Sequence, residues 1–273
     1  MTLEHLLSKT DKSTVKLVGG FSEQFIALNK HAEVPESLCE KILDAYERNK
    51  QGEPLAYIVG ERAFYRDVFK VRKGVLIPQP DTETLVEEAV NYLKTISSQS
   101  ICILDLCAGS GCIGISVAKE IAPFFEKVEL YMSDISPVAF ECFSENASLL
   151  IKQQNIEVHN CKGDLFEPLK DIKFDLILSN PPYIASNVIP SLSKEVQNEP
   201  LLALDGGNDG LSFYKRIVQK APLFLKNKSV LMLEIGFDQA QSVMNLLACK
   251  SFCQIEVVKD LGNNDRVVKA FIK

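Results

Sequence analysis

The chain has 273 residues, 46% of them apolar, which is enough for a sizeable core in one large α/β domain or in a domain with a smaller companion. Thirty Lys and Arg against 36 Asp and Glu leave a net charge of −6, which argues against a protein that tracks a nucleic-acid backbone with a basic face. No apolar run approaches the thickness of a bilayer, and Met1–His5 lacks the basic start and apolar core of a secretory signal, so a soluble, cytoplasmic chain is expected, with nothing demanding more than a monomer.

The first 50 residues read as helices. Leu3, Leu6 and Leu7 share a face, and Pro35 opens a helix over 36–49 in which Leu38, Ile42 and Tyr46 recur at i, i+4, i+8. From residue 55 the pattern turns to β character, with Tyr57-Ile58-Val59-Gly60 and Phe64 to Val71 read as a hairpin. Leu76 to Pro80 reads as a hinge stiffened by Pro78 and Pro80, and Asp81 as the cap of a helix through Thr84–Val90. A boundary is therefore expected near residue 75, separating a small helical domain with a hairpin, 1–75, from a larger domain, 76–273.

From Ile101 strands and helices alternate, which predicts a mostly parallel sheet with helices on both faces. Strands are expected near 101–106, 128–133, 156–161, 174–179 and 229–235, with a terminal hairpin near 252–258 and 265–272 that places one antiparallel strand at the sheet edge. Asp105, Asp134, Asp164 and Asn180 fall at or just beyond the carboxyl ends of successive strands, where open α/β sheets bind ligands.

The first strand runs into Cys107-Ala108-Gly109-Ser110-Gly111, and Gly109, Gly111 and Gly114 match G-x-G-x-x-G. By spacing alone this suits NAD as much as any other nucleotide. Charge separates the candidates: a pyrophosphate would meet Asp105, four residues before Gly109, with repulsion. S-adenosylmethionine, with a sulfonium and an ammonium against one carboxylate, suits a pocket walled by Asp105, Asp134 and Asp164, and Asp105 could take the ammonium directly or through water.

The apolar run Phe174–Ser179 ends in Asn180-Pro181-Pro182-Tyr183. Two prolines must end a strand, because neither donates to the ladder. The Asn180 side-chain oxygen and the Pro181 carbonyl then offer two acceptors in one small space, suited to a planar –NH2 group on which Tyr183 could stack. An amide nitrogen is a poor nucleophile, and holding both its hydrogens would localise the lone pair, so positioning and electrostatics would carry the catalysis. Eight cysteines with no C-x-x-C, and Cys102, Cys107 and Cys112 recurring every five residues on no common face, point to reduced thiols and no metal site. His5, His31 and His159 are scattered and read as structural.

These segments together resemble the class I S-adenosylmethionine-dependent methyltransferases, and within them the release-factor glutamine methyltransferases, the PrmC or HemK family. The resemblance is carried by Leu76–Glu83, the Leu104–Gly111 turn, Ser133–Pro137, Gly163–Phe166, Asn180–Tyr183, Glu199–Gly207, Leu233–Gly236 and Asp265–Val268. It implies a Rossmann-like fold with a mostly parallel seven-stranded sheet. It also implies methyl transfer from S-adenosyl-L-methionine to the side-chain amide nitrogen of the glutamine in the Gly-Gly-Gln loop of peptide chain release factors. By the same resemblance Asn180 and Pro181 hold the amide, with Pro182 and Tyr183 beside it. Cys107, Ala108, Gly109, Ser110 and Gly111 line the methionine part, Asp134 the ribose and Leu165 the adenine. Cys107 stands where the family usually has glycine, and Gln79 where it usually has arginine. The runner-up is a nucleic-acid amino-methyltransferase acting on adenine N6 or guanine N2, which shares Asn-Pro-Pro-Tyr. Only the N-terminal part is left free to select a substrate, so protein recognition is expected there.

Overall fold

The computed structural model describes residues 1–272 and divides into two compact units: residues 1–61 with 192–198, and residues 62–191 with 199–272. The smaller unit holds α1 (Leu3–Lys9), α2 (Lys12–Gly19), α3 (Glu23–Leu28), α4 (Glu36–Lys50) and α5 (Leu55–Val59). Three of these helices begin on side-chain caps that supply orphan amides with acceptors: Thr2 for His5, Asp11 for Thr14 at 2.8 Å, and Ser22 for Phe25 at 3.1 Å. Leu3, Leu6, Val15, Ile26 and Ile42 form its core, each contributing about 1.5–3 kcal/mol by leaving water. The segment 192–198 adds one helical turn, Lys194–Gln197, fastened where Asn49 Nδ2 donates to Glu195 Oε1 at 3.0 Å and Asn198 Nδ2 to the Gly52 carbonyl at 2.9 Å.

Two expectations in this stretch are corrected. Tyr57–Val59 is helical, within α5, and the hairpin is built by β1 (Glu61–Phe64) and β2 (Asp67–Lys70) instead. Pro54 starts the helical turn by accepting from Tyr57, and Gly60, at φ 81, ends it, so the flanking residues override the β preference of Ile and Val. The hairpin lies almost wholly in the larger unit, which moves the boundary from 75 to 61.

In the larger unit α6 (Glu83–Leu93) precedes β3 (Ser100–Leu106), α7 (Cys112–Ile121), β4 (Lys127–Asp134), α8 (Pro137–Leu150), β5 (Ile156–Lys162) and β6 (Phe174–Ser179). Then come the helix Ser212–Lys220, β7 (Leu225–Glu234), the helix Ala240–Ala248, β8 (Phe252–Lys259) and β9 (Asp265–Ile272). Among the described residues the sheet has seven strands in the order β5-β4-β3-β6-β7-β9-β8, parallel except for β9, which runs antiparallel to both β7 and the edge strand β8. β3 and β6 are apolar on both faces because each face is covered, by one core containing Ile103, Leu130 and Leu178 and another containing Leu104, Ile177 and Leu231. The chain order reverses between β3 and β6, so the loops leaving their carboxyl ends diverge and open a crevice.

Asp81 is also corrected. It does not cap α6; Pro80–Thr82 forms a short 3-10 turn, and Asp81 pairs with Arg266 of β9 at 3.1 Å. Among the described residues no helix is long and apolar enough to cross a membrane.

Candidate active site

A cleft of about 640 Å³, counting the solvent-open space at its mouth, lies at the carboxyl ends of β3, β4 and β6. Its wall includes Cys107, Gly109, Asp134, Asp164, Leu165, Asn180 and Pro182. Asp105, Ala108, Ser110, Gly111, Pro181 and Tyr183 do not reach that wall. Residues not expected at the site complete it, among them Val75, Leu76 from the expected hinge, Ile135, Leu202 and Phe213, whose apolar surfaces suit a nucleobase.

The turn after β3 adopts left-handed backbone at every second residue: φ is 59° at Cys107, 58° at Gly109 and 77° at Gly111. At Gly111 a Cβ would stand 2.8 Å from Phe143 Cβ, so glycine is required by space as well as by φ. Gly111 then starts α7. Cys107 carries the same backbone with a side chain, at a cost of about 1–2 kcal/mol. Cys107→Gly is therefore expected to stabilise the protein by about 0.5–1 kcal/mol in urea unfolding; a loss of stability would mean that packing of the thiol outweighs the backbone strain.

Asp134 supports the turn from the neighbouring strand. Its Oδ2 accepts from Gly109 N at 2.9 Å and its Oδ1 from Ser136 N at 2.9 Å. Burial pushes its carboxyl up, and these two amide bonds oppose the shift. Asp164 lies on the wall with its carboxylate ion-paired to Arg216. Leu165 also has positive φ, at 52°, and its carbonyl accepts from Ser133 Oγ at 3.1 Å.

Asp105 is placed behind the wall. It is fully buried; Oδ2 accepts from Gly114 N at 2.9 Å, Oδ1 has no partner, and burial pushes the carboxyl up to about 7. Gly114 permits this, since a Cβ there would meet the Asp105 side chain at 3.0 Å. The third glycine of the spacing thus serves the approach of α7 to β3.

Asn180 leaves β6 next to Ser179, whose hydroxyl donates to the Leu106 carbonyl at 2.8 Å and ties β6 to β3. The Asn180 Nδ2 donates to Thr82 Oγ1 at 3.3 Å. Pro181 and Pro182 are buried. The backbone that follows is clamped: Gln239 Nε2 donates to the Tyr183 carbonyl at 2.9 Å, Ile184 N to the Leu204 carbonyl at 2.9 Å, and Gly206 N to the Ile184 carbonyl at 2.8 Å. A Cβ on Gly210 would lie 2.4 Å from the Tyr183 oxygen, so this clamp needs its glycine. Burial pushes the Tyr183 phenol up, which keeps it neutral. Glu199 Oε2 accepts from Ile77 N at 2.8 Å and secures the 76–80 segment beside the cavity.

A cavity lined by a partly buried Asp134, with Asp105 behind it and apolar side chains opposite, has the charge and lining suited to a cationic nucleoside ligand such as S-adenosylmethionine. Glu129, Glu157 and His159 also bring ligand atoms within 4.8 Å of one another, through the register of β4 with β5. Lys127 Nζ already pairs with both glutamates at 3.0 Å, and none of the three lines the cavity.

A family model, the methyltransferase small domain, matches residues 82–206. The release factor glutamine methyltransferase of Thermodesulfovibrio yellowstonii is 42% identical over 88% of this chain and 84% of its own length. Its counterpart from Clostridium acetobutylicum is 40% identical over 90% and 85%, and that from Aquifex aeolicus 37% identical over 87% and 82%. Among solved structures, the hMettl16 catalytic domain in complex with an RNA hairpin aligns over 100% of this chain and 91% of its own, with TM-score 0.59 at 13% identity. A methyltransferase from Pyrococcus furiosus aligns over 74% and 87%, with TM-score 0.52 at 15% identity. These structural likenesses bear on the fold.

Proposed function

The chain belongs to the release factor glutamine methyltransferase family, and from that premise we propose that it transfers a methyl group from S-adenosyl-L-methionine to the side-chain amide nitrogen of the glutamine in the Gly-Gly-Gln loop of peptide chain release factors. The observation that carries this reading is the placement of Asn180 on the cavity wall with its nitrogen turned to Thr82, which leaves Oδ1 as the acceptor for a substrate amide.

Asn180 Oδ1 at the cavity wall would take one amide hydrogen, and the Pro181 carbonyl and Tyr183, which lie beside that wall and not on it, would take the second hydrogen and pack against the amide plane. Held in this way, the nitrogen presents its lone pair toward the cavity. The cofactor supplies a methyl group made electrophilic by its sulfonium. Asp134 would hold the ribose hydroxyls, Leu165 would pack on the base, and the Cys107–Gly111 turn would follow the methionine part. Asp105, buried behind the wall with Oδ1 unpartnered, would supply negative charge on the side of the cofactor's ammonium when ionised. The surplus proton on the alkylated nitrogen is acidic and passes to solvent. Tyr183, kept neutral by burial, is not needed as a base. None of these steps calls on a metal. The smaller unit recognises the release factor, the enzyme works in the cytoplasm as a monomer, and Gln79 receives no role.

Incubating the protein with labelled cofactor and purified release factor is expected to label the loop glutamine, as located by mass spectrometry, and to leave DNA and RNA unlabelled. Methyl on another group, or on nucleic acid, would overturn the substrate assignment.

A further inference from the structure

We infer that Thr82 and Glu234 are positioning residues for Asn180, a buried pair that turns its amide nitrogen inward and so aims Oδ1 at the nitrogen to be methylated. The inference rests on the reading of Asn180 given above.

Asn180 follows β6 and Glu234 ends β7, and the register that pairs Ser179 with Leu233 makes the two side chains neighbours across adjacent parallel strands. Glu234 is 2% exposed and its Oε2 has no hydrogen-bond partner, and the polar side chains of Thr82 and Asn180 favour its ionised form, which sets both close to it. The polarity of this cluster follows from counting protons. An ionised carboxylate only accepts, so a Thr82 hydroxyl proton turned toward Glu234 leaves Thr82 only lone pairs for Asn180. The group of Asn180 that faces them must then be its –NH2, as the 3.3 Å bond from Nδ2 to Thr82 Oγ1 has it. A carboxylate is better than an amide in this place because an amide can donate as well as accept, and would tolerate the flipped Asn180.

The charged and titratable groups facing Glu234 are Asp81 from the turn before α6, Arg266 from β9, Tyr183 from the loop after β6, Tyr214 from the helix Ser212–Lys220 and Cys112 from the start of α7. Arg266 is itself shared between Asp81 at 3.1 Å and Asp260 at 3.0 Å. Burial raises the Glu234 carboxyl to about 7, so the fixed polarity is present above that pH and fades below it, where a protonated Glu234 can donate toward Thr82.

The test compares steady-state methylation of release factor by wild type, N180A, E234Q, T82V and T82S between about pH 6 and pH 8.5, with S-adenosylhomocysteine affinity and melting temperature measured on each. E234Q and T82V are expected to lower kcat about tenfold while the KM for release factor and the product affinity stay within about twofold; T82S restores the rate, and E234Q removes the fall of kcat on the acid side. If E234Q does not fold, T82V against T82S decides on its own. Full kcat in T82V, or an unchanged acid limb in a folded E234Q, with N180A inactive, would overturn the positioning role and leave the proposed function standing. An active N180A would overturn both.

Discussion

Asn180→Ala is expected to lower kcat/KM for release factor methylation by about 10²–10³, while S-adenosylhomocysteine binds within a few-fold of wild type. In the proposed mechanism the side chain supplies one of two acceptors that hold a delocalised nitrogen in a reactive orientation, and such a contact acts mainly when the nitrogen begins to bond. The loss should therefore appear in kcat more than in KM. Folding should survive, because Asn180 is only partly buried and its hydrogen bond to Thr82 is long, at 3.3 Å. Asn180→Asp sharpens the experiment. It keeps an acceptor but removes the –NH2 that faces Thr82 and places a second carboxylate near the buried Glu234, so it too should be slow. Single-turnover rates with labelled cofactor, beside calorimetric titration of the product, check both variants. A variant that binds cofactor and still methylates at the wild-type rate would place the reacting nitrogen elsewhere.

Asp105→Asn is expected to raise the stability of the cofactor-free protein by about 2 kcal/mol at pH 8, and the gain should shrink toward pH 4. The carboxyl is fully buried with a folded-state pKa of about 7, against about 3.9 in the unfolded chain. Because the folded value is the higher one, this group's contribution is most favourable below the unfolded pKa and is lost as pH rises through about 7. The full penalty of about 4 kcal/mol is reduced in the variant, because the new –NH2 takes the place of the unpartnered Oδ1 and is itself unpaired. The remaining Oδ1 can keep the bond from Gly114 N. Glu234 titrates in the same direction, so wild type should also lose stability between about pH 5 and pH 8. Thermal melts across this range check the sign. On the proposed binding mode cofactor affinity in Asp105→Asn should fall as well, because the negative charge assigned to the ammonium is removed, so gain of stability and loss of binding should appear together.

The sheet was legible because its central strands are continuous apolar runs bounded by turn residues, and all seven lie within a few residues of the expected spans. The glycine turn and the proline stop were legible because both depend on local backbone, which composition encodes directly. What tertiary contact decides was not legible. Asp81 reads as a cap from its neighbours, yet it is drawn to Arg266, 185 positions later. Glu234 lay in a quoted motif with no role, since only the register of β6 with β7 sets it beside Asn180. Asp105 looked like a wall residue from its place at a strand end; Gly114 held the signal that it faces α7, because a missing side chain there lets the helix close on it. Tyr57–Val59 carried β preference that Pro54 and Gly60 overruled.

The smaller unit is not made of one continuous stretch: the chain enters the larger unit after Glu61, comes back for Leu192–Asn198, and leaves again at Glu199. Three covalent seams therefore join the two, two of them only a short distance downstream of Tyr183. Cutting the chain after residue 61 would not release a free-standing catalytic half, because it would strand Glu195 and Asn198 without Asn49 and Gly52. If the smaller unit holds the release factor as proposed, the peptide backbone itself is a direct mechanical route from it to the loop after Asn180.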